Sequence, residues 1–198
     1  MRIAFIQNKG GNYGGVWQVN KMVGEALIRD GYDVSIVSIR DDHFNLHLDH
    51  DERLNVVTIN EKDLWHTYHG NDFRESIKNH QYLELIKRLC HRLRNNLRLK
   101  KDHYKLIKYL DEYDPNYIIV SQYQVLELLN NKYLAKTYCE QHTNFVDTKS
   151  NLHNIKIFNK YKDKILGYIW LTKKTCEDAI SFGYTNSIYI YNPVRFSS

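Results

Sequence analysis

The sequence predicts an α/β protein: a doubly wound, mainly parallel, Rossmann-like sheet of about seven strands with helices on both faces, forming a single domain over residues 1–198. Three observations lead there. Short apolar runs rich in β-branched residues alternate with stretches of helical period, the pattern of parallel strands joined by crossover helices. The first and fourth strand runs, Ile3 to Ile6 and Tyr117 to Val120, are apolar throughout rather than on alternate residues, as in strands covered on both faces. The chain also opens with a strand, a glycine-rich turn and a helix, the unit from which such sheets are wound.

Ile3 to Ile6 is the first strand. From Val16 the apolar residues Val16, Val19, Met22, Val23, Ala26 and Leu27 recur at three and four positions, so one side of a helix is apolar until Gly31 stops it. Val34 to Ile39 and Asn55 to Ile59 read as the second and third strands. The intervening His47, Asp49, His50 and Asp51 lack metal-site spacing and read as a solvated loop; no metal is expected. Glu61 to Phe73 has no period and reads as an irregular loop. Helical period returns at Tyr82, with Ile86, Leu89, Cys90, Leu93 and Leu97 on one side, and continues in a second amphipathic segment carrying Tyr104, Ile107 and Leu110. Asn116 to Gln122 is the fourth strand, Val125 to Leu134 a short helix, and Tyr138 to Gln141 the fifth strand, ending at His142. Asn151 to Tyr161 is helical and Ile165 to Leu171 the sixth strand. Thr172 suits the N-cap of a helix that ends near Phe182 with Gly183 as its C′ residue, and Ser187 to Tyr191 is the seventh strand.

Composition narrows the function classes. With 42% hydrophobic and 26% charged residues and two prolines, the chain is a folded globular protein. Cys90, Cys139 and Cys176 are odd in number and far apart, which supports neither a disulfide framework nor a zinc site and fits reduced thiols in cytoplasm. No apolar run approaches the roughly 20 residues of a spanning helix, and the N-terminus lacks a signal-peptide core. The net charge of +5 is concentrated in residues 82 to 110, on Lys87, Arg88, Arg92, Arg94, Arg98, Lys100, Lys101, Lys105 and Lys108, against the single acid Asp102 beyond Leu85. Such basic helices attract an anionic lipid surface or a phosphorylated acceptor. The same pattern also describes an ordinary surface helix with leucines inward and arginines outward. Nucleic acid is disfavoured, since no nucleic-acid-binding motif accompanies the charge.

Gly10, Gly11, Gly14 and Gly15 separate the first strand from the helix. They permit close backbone approach, and the free amides of the helix start favour an anion, so a phosphate-bearing ligand suits this turn. A glycine-rich turn that binds nothing has the same composition. The dinucleotide fingerprint fails, because Asn12 stands at its second glycine, and the Walker pattern fails, because Val16 and Trp17 follow Gly15. The absence of a clear acid ending the second strand, where Arg40 precedes Asp41 and Asp42, further disfavours a nicotinamide-dependent oxidoreductase.

Several segments in their order resemble the N-terminal domain of GT-B-fold retaining glycosyltransferases of family 4. They are the opening strand Arg2-Ile-Ala-Phe-Ile, the turn ending Gly14-Gly15, the helix with Ala26-Leu27 followed by Gly31-Tyr-Asp-Val34, and Asp114-Pro-Asn-Tyr-Ile-Ile. Gln141-His142, Trp170-Leu-Thr172 and Tyr191-Asn-Pro-Val194 complete the set, which spans essentially the whole chain. The resemblance implies an acceptor-side domain that faces a donor-binding C-terminal domain across a cleft. It implies Gly14 and Gly15 at the donor diphosphate, His142 as the catalytic residue beside the transferred sugar, and Asn12, Tyr13, Gln18 and Gln122 toward the acceptor. Asn192-Pro193 resembles the start of the interdomain linker. The family's paired-glutamate motif belongs to the C-terminal half, so these 198 residues alone are expected to be inactive. The implied reaction moves a sugar, with retention, from a nucleotide sugar such as a UDP-sugar to a cell-surface polysaccharide, lipid-linked or teichoic-acid-like acceptor, at the cytoplasmic side of the membrane. No cofactor is implied. Val16, Trp17 and Gln18 depart from the small residue, glutamate and basic residue that often follow the family's double glycine. The alternative is a free-standing Rossmann-type binding module that recruits a partner subunit or an anionic membrane through residues 82 to 110.

Overall fold

The computed structural model describes residues 1–10, 15–41, 50–60 and 82–193. Its centre is one seven-stranded sheet, all of whose neighbouring pairs are parallel, in the order β3-β2-β1-β4-β5-β6-β7. The strands are β1 (Arg2–Gly10), β2 (Asp33–Asp41), β3 (Asn55–Asn60), β4 (Tyr117–Val120), β5 (Thr137–Gln141), β6 (Gly167–Trp170) and β7 (Ser187–Tyr189). Strand order reverses between β1 and β4, and in such a sheet ligands bind outside the carboxyl ends of the strands at that switch point.

Helices cover both faces. Helix α1 (Gly15–Arg29) lies on the face bearing Ile3, Phe5, Val34 and Ile36, which it buries with Trp17, Ile28, Val23 and Leu27. The opposite face, with Ala4, Ile6, Val37, Ile39, Ile118 and Val120, is covered by Leu106 and Leu110 of α2 (Tyr82–Tyr113). Beyond β4 come a 3-10 turn (Tyr123–Leu128) and the short helix α3 (Asn131–Leu134), whose cap Asn130 accepts from the Tyr133 amide at 3.2 Å. Helices α4 (Phe145–Ser150), α5 (Leu152–Tyr161) and α6 (Lys173–Ser181) complete the chain, and their contact is aromatic: Phe145, Phe158, Tyr168, Trp170 and Tyr184 stack edge-on or face-on.

Helix ends follow the local chemistry. Gly31 (φ 85°) lets Tyr32 donate back to the Leu27 carbonyl at 3.0 Å, closing α1. Thr172 caps α6 by accepting from the Thr175 amide at 3.2 Å, and Gly183 (φ 107°) ends it.

Three expectations are corrected. The fully buried line of α1 is Trp17, Asn20, Gly24 and Ile28 rather than the valine stripe. Helix α1 packs so closely on the sheet that a Cβ on Gly24 would lie 3.2 Å from Leu54, just before β3, and 3.4 Å from Val34 of β2, so a small residue faces the sheet there. The segment from Val125 to Leu134 is a 3-10 turn and a separate α3 instead of one helix. The two basic segments of residues 82–110 are one continuous helix of 32 residues. On it Tyr104 is 69% exposed, so it does not belong to the apolar side. Asp102, by contrast, is buried: its carboxylate accepts from Arg40 at 2.6 Å and from Asn60 at 2.6 Å, locking α2 onto the ends of β2 and β3. Glu61 to Phe73, His47 and Asp49 lie outside the described residues. Of the remaining pair from that loop, the His50 ring contacts the Asp51 carbonyl and the Asp51 carboxylate is held by Arg53 at 2.7 Å.

Candidate functional site

The site is built at the carboxyl ends of β1, β4 and β5. Because all strands run parallel, the residues that follow each of these three leave the sheet on the same side. Strand β1 ends at Gly10 and helix α1 begins at Gly15. Its first four amides have no partner within the helix, and no acidic side chain occupies the first turn to compete for them. Gly15 is exposed, and a Cβ there would meet nothing within 4 Å. Among the described residues, none fills the space beside it.

A buried polar network anchors this corner. Asn20 donates to Gln7 Oε1 at 3.1 Å and to Ser121 Oγ at 3.1 Å, while Gln7 donates to Ser38 Oγ at 3.0 Å. All four residues are buried, so the network ties the first turns of α1 to β1, β2 and the end of β4. The helix start is thus held at the switch point by hydrogen bonds in a dry interior.

His142 follows β5 immediately and is separated from β1 by β4 alone, a lateral distance of about 10 Å at ordinary strand spacing. Its Nε2 is buried without a hydrogen-bond partner and stands 3.3 Å from a carboxylate oxygen of Glu140. Two further buried polar atoms among the described residues have no partner: Gln122 Oε1, just past β4, and Trp17 Nε1, in the first turn of α1. A buried unpaired polar atom costs about 1–3 kcal/mol, and folded proteins keep few of them. These three all lie on segments that leave the carboxyl ends of β1, β4 and β5. Trp17 packs in the core beneath α1, whereas Gln122 and His142 follow the adjacent strands β4 and β5, where an amide oxygen and an imidazole ring suit a ligand rich in hydroxyl groups.

The expected site residues divide as follows. Gly15, Gln122 and His142 are placed by the fold on segments leaving one end of the sheet, and Gln18 sits half-buried in the first turn of α1. Asn12, Tyr13 and Gly14 lie outside the described residues. Lys87, Arg92, Arg94, Arg98 and Lys101 are carried by α2, the first three fully exposed with Lys101, while the Arg88 side chain lies outside the described set. Two residues were missed. Trp17 registers in the sequence only as a departure from a motif. Glu140 is two residues before His142, and the two-residue period of a strand was the signal that puts both on one side. Asp147, five residues after His142, belongs to α4, and its side chain lies outside the described residues.

No protein-family model matches the chain, and no curated protein matches it. Among solved structures, the chain is similar to the apo form of the lipopolysaccharide outer core galactosyltransferase WaaB, with a TM-score of 0.61 and 15% identity, over 100% of this chain and 47% of that one. It is also similar to the sucrose-phosphate synthase from Thermosynechococcus elongatus, with a TM-score of 0.61 and 13% identity, over 96% of this chain and 48% of that one. The chain thus spans about half the length of the solved structures it matches. At these identities the likeness shows the fold: the chain has the Rossmann-like architecture of a GT-B half-domain.

Proposed function

We propose that this chain is the N-terminal, acceptor-side half of a retaining glycosyltransferase that uses a nucleotide sugar, and that it is inactive without a donor-binding half. The observation that supports the reading is that the helix start at Gly15, Gln122 with its unpartnered Oε1, and His142 all lie on segments leaving one end of a parallel sheet. Cleaving a sugar–diphosphate bond leaves negative charge on the departing phosphate. Fixed N–H donors at the start of α1 suit that charge and act without reorganising. His142, a strand's width further along, faces the sugar in this reading, and Gln18 and Gln122 face the acceptor.

A second feature supports a missing half. On edge strand β7, Ile188 and Tyr189 are each 45% exposed, and just past it Ile190 and Tyr191 are 53% and 64% exposed. This apolar edge lies just before Asn192-Pro193, where the resemblance puts the interdomain linker, and an exposed strand edge of this kind is normally covered. The acceptor in this reading is a surface polysaccharide or lipid-linked glycan, and no metal takes part.

A chemical-shift titration of the ¹⁵N-labelled chain with UDP-glucose tests the proposal. The Gly15 to Trp17 amides and the His142 ring should move together. Shifts confined to other parts of the sheet would refute it.

A second reading places α2 on an anionic membrane surface on the cytoplasmic side. The observation in its favour is that Ile86, Leu89, Leu93 and Leu97 are 42–67% exposed on the half of α2 that also carries Lys87, Arg92 and Arg94. Leucines and basic residues displayed together are what an interfacial helix uses. Flotation with vesicles containing phosphatidylglycerol should retain the chain, and Arg92→Glu/Arg94→Glu should release it; equal retention of both proteins would exclude this reading.

A further inference from the structure

Within the site, the Glu140–His142 pair has a role that the fold likeness does not supply. Glu140 lies in β5 and His142 just past its end, two positions on, and both side chains are largely enclosed, at 11% and 17% exposure. A carboxylate so enclosed is costly unless a donor faces it. The group set against it is the His142 ring, with Nε2 at 3.3 Å. The contact lies off the line of a hydrogen bond, which leaves Nε2 without one. Catalytic pairs are commonly slack in this way before a ligand is bound.

We propose that Glu140 is a positioning residue for His142. Its carboxylate can only accept, so it selects the tautomer with the proton on Nε2 and leaves Nδ1 as the bare, accepting nitrogen. Resting on the reading that His142 faces the transferred sugar, this makes the imidazole an acceptor for a sugar hydroxyl rather than a donor to one. It also assigns the neighbouring Gln122 Oε1, another acceptor, to the same kind of hydroxyl donor. The portion of the ligand at the ends of β4 and β5 is therefore recognised through hydroxyl protons. A group at that place that only accepts, such as a phosphate or an O-methylated sugar, would be rejected there.

Long-range ¹H–¹⁵N spectra of the imidazoles test this in the whole chain at pH 8.5, with the His142 signals assigned by their loss in His142→Gln. In the unaltered protein the Nε2–H form should exceed the Nδ1–H form at least about tenfold, as one hydrogen bond to a carboxylate would maintain. Glu140→Gln, whose amide can accept or donate, should lower that ratio at least about twofold, toward that of a free imidazole, with a thermal unfolding midpoint showing that the variant is folded. An unaltered protein with Nδ1–H predominant overturns the proposal, and so does a folded Glu140→Gln with an unchanged ratio. If Glu140→Gln does not fold, the ratio in the unaltered protein still decides, with Glu140→Asp as the second variant. Adding UDP-glucose separates this from the sugar-facing reading. A His142 signal that responds to UDP-glucose, with a tautomer ratio indifferent to Glu140, overturns the role of Glu140 alone. A ratio set by Glu140, with no response to UDP-glucose, sustains the pair and removes the sugar.

Discussion

Substituting Gly15 by alanine separates a glycine kept for a ligand from one kept for the fold. A Cβ at Gly15 meets no atom within 4 Å, and the residue has no positive φ that a side chain would strain. Alanine is the better helix former by up to about 1 kcal/mol, so Gly15→Ala should leave the unfolding midpoint unchanged or raise it by about 2–4 °C. The diphosphate reading demands a different result for binding. An oxygen accepting from the amides at the start of α1 would lie about 2.9 Å from nitrogen, in the open space that the new methyl fills. Losing one such charge-assisted hydrogen bond costs about 1.5–3 kcal/mol, which corresponds to a roughly 10- to 150-fold weaker dissociation constant. Calorimetric unfolding and a chemical-shift titration with UDP-glucose measure the two effects on one sample. A midpoint lowered by more than about 5 °C would show that the glycine serves the backbone, and an unchanged dissociation constant would show that no phosphate reaches this turn.

Three further outcomes are expected. At Gly167 a Cβ would sit 2.3 Å from the Asn186 carbonyl oxygen, which accepts the Tyr168 amide at 2.9 Å, so Gly167→Ala must push β7 off β6. Overpacking and the strained hydrogen bond together should cost about 3 kcal/mol and lower the midpoint by roughly 6–12 °C, read by thermal circular dichroism. Among the cysteines, Cys90 is exposed, whereas Cys139 and Cys176 are buried and their thiols are pushed up by that burial. A thiol reagent at pH 8 should therefore label Cys90 within minutes and the other two only after unfolding, as peptide mass mapping would show. Arg53 holds the Asp51 carboxyl at about 2, below its ordinary 3.8, through side-chain and backbone hydrogen bonds. Its folded value is the depressed one, so the stabilisation is complete above pH 3.8 and is lost as pH falls through about 2; Asp51→Asn should flatten the acid limb of the unfolding curve over that interval.

The succession of strands was written in the chain because a strand buried on both faces must be apolar along its whole length, as Ile118-Ile119-Val120 is. Helix ends were equally plain at Gly31, Thr172 and Gly183, where a local backbone or cap requirement picks the residue. The period of α1 misled for a physical reason. Asn20 is polar yet fully buried, because Gln7 and Ser121 complete its hydrogen bonds from strands 13 and 101 residues away, and no hydropathy pattern encodes partners so distant. Asp102 is a similar case: in the sequence it is one acid among many bases, while in the fold it is the buried partner of Arg40, 62 residues away.

The sequence by itself determined the class of fold, the strand order in the chain and the two local signals of the site, the glycine turn and the histidine that ends the fifth strand. Local preferences decide those features, and they act within a few residues. Only the tertiary structure decided what surrounds them. Parallel pairing of β1, β4 and β5 brings the segments that carry residues 15, 122 and 142 to one end of the sheet, and Glu140 at the end of β5 stands 3.3 Å from the His142 ring. It likewise left Ile86, Leu89, Leu93 and Leu97 of α2 exposed although their spacing reads as core, because α2 meets the sheet through Leu106 and Leu110 further along. Burial is a property of which surfaces meet, and spacing along one helix specifies a face without specifying its partner.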